Sequence, residues 1–342
     1  MSAVIESSGG TARDGVAKVG ATEQGLPPLS AEWLAVLAYT VAVILFGAWV
    51  RISGSGDGCG QHWPTCQGEL VHLPRKLATV IEMTHRVTSG LCLVAVIGAA
   101  RRTWSRRPAG HPARRAALWS FVFVLGEALV GAVIVLAKKT GNDTSLARAI
   151  IMALHLVNTC LLTFALAWAA RADAPGADGA AAEGTTAGGN RAEAVRFDFS
   201  APRARWALWG ALGLLLVSAA GAVTALGDTV FPATEHSLLA NVGGNAHFLQ
   251  QVRGFHPVLA TLVSGLAFWL SVRIARSRLA LRVFHASLTA QLALGVANVW
   301  LLAPGWMQVL HLGVANAVWL AWCWLLLEAA EGQPAETVAP AR

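Results

Sequence analysis

The stretch IEMTHRVTSG, Ile81 to Gly90, sets Glu82, His85 and Arg86 at the mouth of an apolar run long enough to cross a membrane. Ionisable groups are costly in hydrocarbon and by default mark functional sites there. Glu82 and His85 are three residues apart, so on a helix they share a face, with the carboxylate almost one turn nearer the start. An i,i+4 ion pair between Glu82 and Arg86 is the plain alternative, in which the carboxylate only neutralises a neighbour. Three further histidines stand early in later apolar runs, at His155, His256 and His311. His256 is preceded at the same spacing by Arg253, in RGFH. A carboxylate beside one histidine and a cation beside another imply two different tasks. Arg253, Arg51 and Arg86 are also the cations that could meet a haem propionate.

A zinc ion draws three or four ligands to within about 2 Å of one point. Two histidines on facing helices instead suit the axial positions of a haem, whose flat apolar ring fills the space between helices. Two such pairs predict two haem-sized sites. A single histidine in a span is ordinarily a hydrogen-bonded packing residue, and it is the repetition that argues otherwise. The small residues in TSGLCL, LATLVSG and GVANAV suit close approach of a ligand, and equally suit ordinary helix packing. Glu127, inside the third apolar run, is either part of a proton route or a bridge between polar groups of neighbouring helices.

Of five cysteines, Cys92, Cys160 and Cys323 fall in apolar runs, where a thiol behaves as a small hydrophobe. Cys59 and Cys66 share CGQHWPTC. The intervening Gly and Pro allow the Cα separation of about 5.5 Å that a disulfide needs. Such a bridge would be a structural staple or a redox pair above the first site.

These residues need elements to position them. Of 342 residues, 55% are apolar and only 13% charged, in long runs rather than amphipathic stripes, which is the composition of an integral membrane protein. A span needs about 20 apolar residues, and eight fit: 32–50, 78–100, 116–137, 147–170, 204–226, 254–275, 280–302 and 305–328. The fold expected is an all-α polytopic membrane protein with two pseudo-symmetric four-helix bundles, 32–171 and 204–328. A disordered tail, 1–31, precedes them. It lacks the basic patch and short apolar core of a cleavable signal peptide. The Ala- and Gly-rich stretch 172–203 reads as a flexible linker and 329–342 as a second tail. Both halves begin on the same side, so a repeat would be a parallel one. GSGDGCGQHWP after the first span and TALGDTVFP after the fifth each make a Gly-Asp turn ending in Pro.

With the N-terminus inside, 18 of the 26 Lys and Arg fall in the tails and even-numbered loops and 7 in outside loops. The positive-inside rule then puts both termini in the cytoplasm, and the net charge of +7 calls for no nucleic acid. Even-numbered spans run from outside to inside. His85, His155, His256 and His311 each fall in roughly the first ten residues of one of them, so at 1.5 Å per residue all four lie at similar depth.

RISGSGDGCGQHWPTCQGEL followed by IEMTHR resembles the first outside loop and second helix of the heme A synthases, membrane enzymes that supply heme A to cytochrome oxidase. The likeness continues through LGEALVGAVIV, ALHLVNT and VLHLGVANAVWLAW, across all eight spans but neither tail nor the linker. It implies a bacterial plasma-membrane oxidoreductase that converts the C8 methyl of heme O to a formyl group. By the same resemblance His85 and His155 would face substrate heme O, and His256 and His311 would ligate a resident heme b. Glu82 would be the catalytic carboxylate, and Cys59 and Cys66 the paired loop thiols. Implied partners are heme O, the bilayer, heme O synthase (protoheme farnesyltransferase), oxidase assembly factors, an unidentified electron acceptor and a second copy of the chain. Two departures stand out. The loop before the sixth span lacks the second Cys pair of many relatives, and Pro257 stands where an Arg often follows the histidine, which leaves His247 as a fallback ligand. The competing readings are a diheme b-type cytochrome that changes no substrate, and a haem exporter or chaperone.

Overall fold

The computed structural model describes residues 29–69, 75–175, 196–232 and 246–332. Most of the two tails (1–28 and 333–342), the linker from 176 to 195, His72 and His236 lie outside the described residues. Eight long helices follow in order: α1 (Ala31–Ile52), α2 (Leu77–Arg106), α3 (Pro112–Leu136), α4 (Leu146–Ala172), α5 (Pro202–Val230), α6 (Phe255–Ile274), α7 (Arg278–Trp300) and α8 (Gly305–Ala330). A single helical turn, Phe248–Gln251, and a 3-10 turn, Val252–Gly254, lead into α6. All eight spans are long and apolar enough to cross a bilayer, so this is a multi-pass membrane protein.

Local chemistry sets the helix starts. Ser145 and Ser277 cap α4 and α7, their hydroxyls accepting from the amides of Arg148 at 3.3 Å and of Leu279 at 3.2 Å. Pro112 and Pro202 occupy first-turn positions of α3 and α5, where a missing N–H costs nothing. Several helices outrun their apolar spans: α2 continues to Arg106 and α5 to Val230. Backbone hydrogen bonding does not stop where hydropathy does.

α1 to α4 pack together, as do α5 to α8, and the halves meet where α4 touches α5 and α8, and α1 touches α8. Apolar packing concentrates at one end of the molecule. In the first half it uses Trp33 and Val36 at the start of α1, Val96 to Ala100 late in α2, Ala113 to Ala117 at the start of α3 and Leu162 to Ala172 late in α4. In the second half it uses Ala207 and Ala211, Leu270 and Ile274, Ala280 and Phe284, and the stretch Val318 to Ala329. Small residues let backbones approach, which drives association of helices that lipid does not push together. Gly210 is the tightest case, since a Cβ there would lie 2.0 Å from Trp322 Cζ2.

The same end is bound by polar contacts. Ser30 N donates to Ala170 O at 2.8 Å, Arg107 pairs with Asp173 at 2.6 Å, and Arg171 pairs with Glu331 at 2.7 Å. Residues 196–201, at the end of the stretch read as linker, are packed: Phe197 and Phe199 lie against Trp168, and Asp198 N donates to Ala330 O at 2.7 Å. The opposite end is hollow, and the four histidines lie there.

Candidate functional site

His85, His155, His256 and His311 all line one cavity of about 1950 Å³ that crosses both halves. A pocket for one small ligand holds roughly 300–1,000 Å³, so this volume suits two large ones. In each of the four imidazoles Nδ1 is buried and makes no hydrogen bond. A buried polar atom without a hydrogen bond calls for an explanation, and a bound group in the cavity is one.

The second-half pair faces directly. The His256 and His311 rings stand 6.5 Å apart between centroids with planes at 83°. Two imidazoles sharing one metal at about 2.0–2.1 Å per nitrogen would place their centroids roughly 6 Å apart, so the pair fits the axial ligands of a haem iron. Glycines make room for the rings. A Cβ at Gly221 of α5 would lie 3.0 Å from His256 Cε1, and one at Gly295 of α7 would lie 3.5 Å from His311 Cε1. The first half repeats this on α1, where a Cβ at Gly47 would meet His85 Cε1 at 3.1 Å. Gln291 Nε2 lies 3.0 Å from His311 Nε2. His247, the fallback ligand, instead caps the turn before α6, its Nδ1 accepting from Leu249 N at 3.3 Å.

Glu82 is buried at 4% exposure and also lines the cavity. Its Oε2 accepts from Cys59 N at 2.8 Å, while Arg86 donates to Oε1 from Nε at 3.1 Å and from Nη2 at 2.5 Å. The ion pair that the sequence offered as the plain alternative is therefore present. Arg86 reaches further, donating from Nη1 to the carbonyls of His62 at 2.5 Å and Thr65 at 2.6 Å. It thus fastens the loop over the first-half cavity. Cys59 and Cys66 form a disulfide in that loop, and both are buried. Gly58 presses on α2, where a Cβ would lie 2.4 Å from Ala78 O, and Thr79 Oγ1 donates to Gly58 O at 2.8 Å. Asp57 bonds Thr140 in the α3–α4 loop. In that loop the Ser145 side chain, helped by Lys139 and the Ser145 amide, lowers the Asp143 carboxyl to about 2, keeping it ionised.

Two cations stand at the cavity, and the first of them ties the halves together. Arg51 of α1 donates to Ala225 O at 2.6 Å and to Thr229 on α5, and to Gln308 Oε1 on α8 at 3.0 Å. Arg253 Nε lies 2.8 Å from Asp228 Oδ1 but off the hydrogen-bond direction, and its buried Nη1 has no hydrogen-bond partner. That leaves Arg253 with donor capacity for a further acidic group. The residue that sequence reasoning underrated is Glu127, whose Oε2 lies 3.2 Å from His155 Nδ1. A spacing signal was available: Glu127 precedes Gly131 by four residues, as Gln291 precedes Gly295.

Residues 31–323 match the family described as Cytochrome oxidase assembly protein, COX15-CtaA. Among curated relatives, a protoheme IX farnesyltransferase of Thermus thermophilus is 40% identical over 310 residues, covering 86% of this chain and 47% of the relative. The heme A synthase of Bacillus mycoides is 39% identical over 103 residues, covering 30% of this chain and 33% of the relative. The chain thus spans about half the length of the Thermus relative.

Proposed function

The chain belongs to the COX15-CtaA family of cytochrome oxidase assembly proteins, and from that premise we propose that it acts in heme A biosynthesis as a heme A synthase, oxidising the C8 methyl of heme O to a formyl group. The observation that carries the reading is the set of four histidines on one cavity, with a carboxylate, Glu127, beside His155 and an amide, Gln291, beside His311.

Methyl plus water to formyl releases four electrons and four protons. Heme b, held between His256 and His311, would supply a one-electron outlet. In the first half His85 and His155 orient substrate heme O. Glu82, whose carboxylate lines the cavity, is the proton acceptor, because it is the carboxylate one turn from His85. Arg86 and the disulfide loop exclude water from above by spanning the cavity mouth. The apolar walls between helices accept a farnesyl tail. The hollow end faces outward and both termini face the cytoplasm, on the charge count. Heme O synthase, oxidase assembly factors and an electron acceptor are the partners this reaction requires.

The name of the Thermus relative favours a second reading, prenyl transfer. This chain covers only 47% of that relative, so the activity in its name can reside in the part not matched here. Pigment analysis of the purified chain is the test. Heme b with heme O or heme A supports the synthase, heme b alone favours an electron-transfer cytochrome, and heme O made from heme b and farnesyl diphosphate favours the transferase.

A further inference from the structure

Glu127 and Gln291 hold matching positions in the two halves. Each stands four residues before a glycine, on α3 and α7 respectively, and each reaches the histidine of the helix that follows. The contacts differ in chemistry and in the nitrogen they reach: His155 meets a carboxylate at Nδ1, and His311 meets an amide at Nε2.

The carboxylate is held from its far side. Asn158 Nδ2 donates to Glu127 Oε1 at 2.6 Å and to Phe123 O at 2.9 Å. The hydroxyl of Thr159 lies 3.1 and 3.2 Å from the two carboxylate oxygens. Asn158 comes this close because residue 126 is glycine, where a Cβ would lie 2.6 Å from Asn158 Oδ1. Asn158 and Thr159 follow His155 by three and four residues, so one face of α4 carries both the imidazole and the clamp on its carboxylate. Oε2 is thereby left beside Nδ1 at 3.2 Å. Nδ1 and Oε2 are thus within ion-pair range without hydrogen-bond alignment.

We propose that Glu127 is a positioning residue for His155: by taking the Nδ1–H it makes the other ring nitrogen a stronger donor to iron and the first-half haem more electron-rich, a contact that His311 lacks at its Nδ1. The physics is general. A metal-bound imidazole whose second nitrogen donates to a carboxylate gains basicity, and second-shell hydrogen bonding is one of the levers on haem potential. The direction suits the chemistry, because electrons must leave the substrate side and collect on the other. The proposal rests on the haem-site reading given under Proposed function.

The test is an anaerobic potentiometric titration of the full chain, purified in detergent with heme b and heme O bound and the two followed by their separate absorption bands. Glu127→Gln is expected to shift the first-half ferric/ferrous equilibrium toward ferrous at least tenfold, which is about 59 mV for one electron, with the second-half haem unmoved. Should Glu127→Gln not accumulate, Glu127→Asp decides: it keeps the charge but withdraws it from Nδ1, and is expected to shift the first-half haem the same way by at least twofold. Shifts below twofold in the accessible variants overturn the role of Glu127 while leaving the haem sites standing. A wild-type chain whose haem content is untouched by His155→Ala overturns the first-half haem site, and this proposal with it.

Discussion

The backbone amide of Cys59 donates to the carboxylate of Glu82 at 2.8 Å, joining the disulfide loop to the face of α2 that carries His85. Glu82 therefore has two neighbours with claims on it, the loop and Arg86, and it still borders the cavity. Two roles follow, loop anchor or proton acceptor, and substitution separates them.

Glu82→Gln keeps an acceptor for the Cys59 amide but cannot exchange a proton at neutral pH. Loss of a positioned acid or base costs a factor of about 100 to 10,000 in rate. The expected outcome is heme b retained, heme O bound and heme O or its alcohol accumulating in place of heme A, read by pigment extraction. Arg86→Gln, which removes the loop anchor and the ion pair but leaves the carboxylate, should cost far less. Equal losses in the two variants would reduce Glu82 to a partner for Arg86.

His256→Ala and His311→Ala should each abolish heme b in the second half while the chain remains inserted. Each deletes one of two facing rings without disturbing the close-packed opposite end. The measurement is the reduced-minus-oxidised spectrum of the purified variant, with detergent gel filtration as the control for folding. An unchanged spectrum in both variants would end the assignment.

Gly210→Ala should lower thermal stability. Its new methyl meets the Trp322 ring at 2.0 Å, and neither α5 nor α8 can retreat without opening the apolar cluster around Trp322. Overpacking of this kind costs about 1–3 kcal/mol. A thermal melt in detergent reads it, and because neither Gly210 nor Trp322 lines the cavity the haem content per folded molecule should stay constant.

Orientation is testable by labelling. Cys59 and Cys66 are buried even though their loop lies at the surface, so exposed positions make better reporters. Asn142→Cys at the hollow end should react with a membrane-impermeant thiol reagent from outside intact cells, and Ser105→Cys at the packed end only after lysis. The reverse pattern would invert the topology and put the cavity mouth on the cytoplasmic side.

The eight helices were legible because hydropathy and length are local properties: each apolar run must satisfy its own backbone inside lipid, and only a helix does so. Glu82, the four histidines and the Cys59–Cys66 loop were equally plain, since ionisable side chains stand out against a hydrocarbon background. Counting residues along each span led to the expectation that the histidines lie at one level, and all four line the one cavity. What the sequence could not decide was which face of each helix turns inward, because helices that are apolar almost all round carry no stripe to read. Only packing revealed that Gly47, Gly221 and Gly295 lie against histidine rings, that Arg51 crosses from one half to the other, and that His247 is a helix cap. The meeting of Glu127 with His155 belongs to the same class. It depends on the rotation of α3 against α4, which Gly126 and Asn158 fix by a contact between residues 32 positions apart in the chain.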